Sequence, residues 1–157
     1  MTVYFLRHGD ADWPDWNKPD DERPLTKKGK KEMRRVAAFL RKLEVAPSLI
    51  LSSPLPRAWQ TAEIAAECLD AALREEPALG QGFNAAKLRT ILRREQKAEL
   101  MIVGHEPDFS AVIRSLTGGD VKLAKAGIAR VDLDHDGTTG RLIWLLPPKV
   151  VNVCAES

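Results

Sequence analysis

The sequence predicts an α/β fold of three layers, α/β/α, around a mostly parallel central sheet. Three observations predict it. The uninterrupted apolar runs Val3–Leu6, Leu49–Leu51 and Leu100–Val103 suit strands buried on both faces, as strands of a parallel sheet are. The segments between them repeat apolar residues at helical spacing. Strand-like and helix-like segments alternate, as right-handed crossover connections require.

The first run, Val3-Tyr4-Phe5-Leu6, is β-branched and aromatic and is closed by Arg7-His8-Gly9. Residues 10–24 are rich in Asp, Pro and Trp and read as a loop. Trp13 and Trp16 lie in it, where they pack the loop down or line its rim. Thr26 caps a helix over Lys27–Leu43, whose inward residues are Met33, Val36, Ala37, Leu40 and Leu43. Leu49–Leu51 is a short strand ended by Ser52-Ser53-Pro54, and Arg57–Leu69 resumes helical spacing through Ala58, Thr61, Ala62, Ile64 and Ala65. Residues 73–79 read as a short strand or a loop, and Ala85–Gln96 as a helix with Leu88, Ile91 and Leu92 inward. Leu100–Val103 is a strand closed by Gly104-His105-Glu106-Pro107, after which Asp108 is the expected helix cap. Ile128–Leu133 and Leu142–Leu146 make a hairpin through Asp134-His135-Asp136-Gly137, and residues 147–157 read as a loosely ordered tail.

The 157 residues fit one domain, 1–157, large enough to bury a core without disulfide or metal support. Lys plus Arg number 24 against 22 Asp plus Glu, and a net charge of +2 is too small for a protein held to nucleic acid by bulk electrostatics. Lys27, Lys28, Lys30, Lys31, Arg34 and Arg35 accordingly read as the solvated face of an amphipathic helix. Cys68 and Cys154 lack the spacing of a zinc ribbon or a redox pair and read as reduced thiols. No run approaches the ~20 apolar residues of a membrane span, and no signal-like segment opens the chain, so a cytoplasmic protein with no membrane partner is expected.

Three buried strands thus end in Arg7-His8, in Ser53 with Arg57 just beyond, and in His105. Ligands of open α/β sheets gather at the carboxyl ends of strands. Two arginines and two histidines meeting there form a pocket of planar donors, and guanidinium forks match phosphate oxygens. A phosphoryl group, or a phosphate or sulfate ion, is the expected ligand. No P-loop is present, and neither a metal nor a cofactor is required. Lys122 and Lys125 are expected to flank the site.

Leu6-Arg7-His8-Gly9, Ser53-Pro54-x-x-Arg57-Ala58-x-x-Thr61-Ala62 and Val103-Gly104-His105 together resemble the histidine phosphatase superfamily, whose fold is phosphoglycerate mutase-like. The segments Arg7–Ala11, Arg23-Pro24-Leu25-Thr26-x-x-Gly29 and Val103–Pro107, with the short length, are most similar to its SixA-type phosphohistidine phosphatases. The resemblance runs over residues 3–144. It implies a metal-independent hydrolase in which His8 is the nucleophile, Arg7 and Arg57 hold the phosphoryl oxygens, and His105 adds a donor. Ser53 and the Gly9 backbone are further candidate phosphate donors, and Asp10, Glu106 and Asp108 candidates for orienting the cations. Glu76, of the pair Glu75-Glu76, is the candidate general acid, although an acidic pair before proline is also an ordinary solvated loop. An imidazole leaving group, with a pKa of ~6.5, needs less protonation than an alkoxide, so a weak acid candidate favours protein phosphohistidine as substrate. A small-molecule phosphomonoesterase of the same superfamily and a noncatalytic phosphate-binding module remain the alternatives.

Overall fold

The computed structural model describes the backbone of residues 1–156 and the side chains of residues 1–154. Six strands form one sheet: β1 (Thr2–Arg7), β2 (Leu49–Ser52), β3 (Ala72–Glu75), β4 (Glu99–Gly104), β5 (Ile128–Leu133) and β6 (Gly140–Leu146). Their order is β3-β2-β4-β1-β5-β6. The three pairings among β3, β2, β4 and β1 are parallel, and the two that add β5 and β6 are antiparallel.

Alternation along the central strands divides the core. Val3, Phe5, Leu49, Leu51, Leu100 and Ile102 point to the side covered by α3 (Ala85–Glu95) and α4 (Asp108–Thr117). Tyr4, Leu6, Ile50, Met101 and Val103 point to the side covered by α1 (Lys27–Lys42) and α2 (Pro56–Leu69). The apolar runs are therefore continuous because both faces are dry. No helix among the described residues is long and apolar enough to cross a membrane.

Two features of the local sequence set the loop that follows β1. Thr26 Oγ1 accepts from Gly29 N at 2.9 Å, capping α1, and donates to Asp10 Oδ2 at 2.8 Å. Such a cap stabilises a helix by about 1 kcal/mol, and here it also fastens the loop to the helix. Gly29 lets the two approach: a Cβ there would stand 2.3 Å from Asp10 O.

Two features depart from the sequence reading. Residues 148–156 form a helix, α5 (Pro148–Glu156), rather than a loose tail. Pro148 opens that helix, a position where its missing N–H costs nothing, and Val151 is buried in the layer of α1 and α2. Asp108 does not cap α4. Glu106 Oε1 accepts from Ser110 N at 2.8 Å, while Asp108 Oδ2 accepts from Gly82 N at 2.9 Å and Phe83 N at 3.3 Å. The unpaired N–H groups of that turn win the carboxylate. The short strand read within residues 73–79 is present as β3, an edge strand whose side chains are largely exposed, which is why its apolar signature is weak.

Candidate active site

The parallel register brings the three strand ends level. Leu6 and Ser52 both pair with Val103, and the ladder runs one residue past the strands through Ser53 N to Val103 O at 3.0 Å and His8 N to Gly104 O at 3.1 Å. His8, Ser53 and His105 therefore emerge side by side at the carboxyl edge. Arg57 joins them as the second residue of α2.

A cleft of about 430 Å³ opens there, lined by Arg7, His8, Arg57 and His105 together with Arg23 and Lys125. The rings of His8 and His105 lie 5.3 Å apart at 53°. His8 Nδ1 is 2.8 Å from Gly9 O. A carbonyl can only accept, so Nδ1 carries the proton and Nε2 keeps its lone pair. Burial holds the His8 pKa down to about 4, with the charges of His105, Arg57 and Arg7 acting in the same direction. Burial, then Arg57, also lowers His105 to about 4. Both rings are neutral at pH 7, and a neutral imidazole with a free nitrogen is a nucleophile.

The guanidiniums are held but far from saturated. Arg7 Nη1 donates to Leu123 O at 2.9 Å, and Arg57 Nη1 to Asp20 O at 3.1 Å. The buried Nε groups of both have no hydrogen-bond partner among the described residues. Each guanidinium has five N–H donors, and a buried donor without an acceptor costs about 1–3 kcal/mol. An oxyanion in the cleft offers acceptors to both forks at once.

Several residues singled out in the sequence are tied up by protein partners or lie away from the cleft. Gly9 N donates to Thr61 Oγ1 at 3.0 Å, so the Gly9 backbone is occupied and offers the cleft no donor. Ser53 Oγ lies 2.8 Å from His105 Nε2 and accepts from Leu55 N at 3.2 Å. It is fully buried, and it positions His105 rather than facing a ligand. Glu76 is not at the cleft. Its carboxylate accepts from Ala78 N and pairs with Arg94, beside Arg74 and Glu95. The guanidinium lies eighteen residues further along the chain, so the pairing is invisible locally. Asp10 fastens the loop to Thr26, and Glu106 accepts from Leu123 N at 3.3 Å, bracing the loop whose carbonyl holds Arg7. Trp13 Nε1 and Trp16 Nε1 donate to Pro24 O and Pro19 O, packing their loop onto itself.

The sequence reading did not mark Arg23, Gln81 or Asp12 as site residues. Arg23 Nη1 donates to Ala11 O at 2.7 Å and Nε to Asp20 Oδ1 at 2.8 Å, which fixes it over the cleft. Two clues point to it: it opens the motif Arg23-Pro24-Leu25-Thr26-x-x-Gly29, and a loop leaving His8 must pass the site before α1 begins.

Sheet order, helical layers and this cluster define a phosphate-group enzyme of the α/β class. The family model described as "Histidine phosphatase superfamily (branch 1)" matches residues 3–81. Phosphohistidine phosphatase SixA of Escherichia coli K12 is 31% identical over 94% of this chain and 94% of its own length. An uncharacterized protein of Picosynechococcus is 38% identical over 94% of this chain and all of its own. The solved structure of the protein histidine phosphatase SixA complexed with tungstate matches at a TM-score of 0.86 and 29% identity, covering 96% of this chain and 99% of that one. The chain belongs to the histidine phosphatase superfamily, and its activity class is that of a phosphatase.

The lowered histidines carry a prediction about stability. In the unfolded chain both titrate near 6.5, and in the folded chain near 4. Between those values the unfolded state binds more protons, so stability falls as pH drops from about 6.5 to 4 and is flat above. Each ring withdraws up to about 3 kcal/mol across that window. Thermal unfolding of the His8→Asn, His105→Asn double variant should show a smaller fall in Tm from pH 7 to 4 than wild type. Parallel curves would refute the assignment.

Proposed function

We propose that the protein removes phosphate from phosphohistidine on proteins, without a metal ion, by way of a phosphoryl group carried on His8. Arg7 and Arg57 hold the nonbridging oxygens and His105 adds a donor. Nε2 of His8 attacks phosphorus, the P–N bond to the substrate ring breaks, and that ring, protonated on its other nitrogen, leaves as neutral imidazole. Water then attacks the phosphoryl group on His8, releasing inorganic phosphate and restoring the lone pair.

The observation that carries this reading is the state of the carboxylates. The cleft is lined by Asp12, Glu106 and Asp108. The Lys125 ammonium beside Asp12 holds its carboxyl below the usual range, so it stays ionised. Glu106 accepts from the Ser110 backbone and hydroxyl, and Asp108 from Gly82 and Phe83. All three are engaged with donors of the protein, and none stands free toward the leaving-group side, where an alkoxide would need a protonated acid. A phosphoramidate, whose leaving ring titrates at ~6.5, needs far less. The kinship with SixA supports the same substrate class.

The test is a comparison of turnover for a phosphohistidine protein with that for phosphoserine and a sugar phosphate. The expected kcat/KM for phosphohistidine exceeds that for either monoester by about 100-fold or more, some 3 kcal/mol of transition-state preference. A preference for a monoester overturns the substrate; no turnover with any donor leaves a binding module.

A further inference from the structure

A second groove, of about 570 Å³, adjoins the cleft between α5, the N-terminal half of α1 and the loop before β5. It shares Arg7 and Lys125 with the cleft, so the two surfaces are continuous. Lys125 is paired with Asp10 and Asp12, but beyond it the groove adds Lys122 and Lys149, both exposed and without an ion pair among the described residues, and the one carboxylate lining it is Glu32. The chain as a whole carries only +2, so cationic charge is concentrated at this spot. The groove is not purely polar. Pro147, Pro148 and Val153 form an apolar wall, and Val153 is 61% exposed. A polyphosphate would leave that wall unused; a folded protein surface with carboxylates around apolar side chains would cover both.

We infer that this groove docks the acidic face of the phosphoprotein whose phosphohistidine enters the cleft. The inference rests on the phosphohistidine reading above. Lys122, expected from the sequence to flank the site, and Lys149 line this groove and not the cleft, so they do not touch the phosphoryl group. They raise the encounter rate with a negatively charged carrier, an effect that salt screens over a Debye length of about 10 Å at 0.1 M. They should contribute nothing for free phosphohistidine, which carries no such face.

The experiment uses the Lys122→Glu, Lys149→Glu double variant of the full chain, with Lys122→Gln, Lys149→Gln as the milder pair. Substrates are an acidic and a basic carrier protein, each phosphorylated on histidine with phosphoramidate, and free phosphohistidine. Expected is a fall in kcat/KM of about tenfold on the acidic carrier at low salt with the charge-reversed pair, less with the neutral pair, and a flatter salt dependence. Turnover of free phosphohistidine should be unchanged, and the basic carrier should be poor for wild type and improved by the reversed charges. Unchanged kinetics and salt slope on the acidic carrier overturn the docking surface alone. Equal losses on the carrier and on free phosphohistidine overturn it too, since the lysines would then serve the cleft itself. A wild type that hydrolyses monoesters but neither phosphohistidine substrate overturns the substrate reading and this inference with it.

Discussion

His8→Ala is expected to lower kcat by at least about 10⁴-fold and to abolish any acid-labile phosphoenzyme. The size follows from what the side chain supplies. Removing a covalent nucleophile deletes the reaction path, and residual rate comes only from water attacking a bound phosphoryl group. Binding should survive better than turnover. Arg7 and Arg57 are held through Leu123 O and Asp20 O, and none of those contacts passes through the His8 ring. Tungstate or phosphate should therefore still compete for the cleft within about tenfold of wild-type affinity, which separates lost chemistry from lost fold. Radiolabelled phosphate trapped on wild type by acid-free quenching, and absent from the variant, is the direct measurement. A variant that keeps kcat within about 100-fold would remove His8 from the chemical step.

That the nucleophile could be found from sequence, and its neighbours only in part, has a physical basis. β1, β2 and β4 are buried on both faces, so their apolar runs announce them, and a histidine or serine just past such a run has its position set by the parallel register. α1 and α2 announce themselves through inward residues at helical spacing. Elements without a dry face leave no such trace. β3 exposes most of its side chains, and α5 buries Val151 behind two prolines that read as an ending. The same distinction holds among the polar groups. Arg7, His8, Arg57 and His105 are tied to strand ends or a helix start. Glu76, Asp108 and Arg23 have orientations set by partners such as Arg94, Gly82 and Ala11, joined through tertiary contacts that no spacing rule encodes.

Arg57→Ala is expected to cost about 10³-fold in kcat/KM, above the loss seen on removing a single neutral oxyanion donor because a charge and a planar fork go together. The Arg57 side chain is nearly buried, at 7% exposure, so water cannot fill in for it cheaply. Arg57→Lys should recover no more than about tenfold, since one ammonium cannot span two phosphoryl oxygens as the fork does. A competing account is that Arg57 matters only by anchoring the loop, through Asp20 O at 3.1 Å and the ion pair with Asp20 Oδ2 at 3.7 Å. Asp20→Ala distinguishes the two. It removes the carboxylate while leaving the backbone acceptor, and it frees the fork from a competing anion, so activity should stay within about tenfold of wild type. Asp20 Oδ1 also accepts from Arg23 Nε, so Arg23→Ala is the control: if Asp20→Ala is as damaging as Arg57→Ala while Arg23→Ala is not, the Arg57–Asp20 pair matters by holding the loop and not by gripping phosphate. With Arg57 gripping the phosphoryl group, the loss should appear on phosphohistidine and on any monoester alike, because both present the same nonbridging oxygens. Raising pH from 6 to 8 should restore neither loss through the histidines, since His8 and His105 are neutral throughout that range.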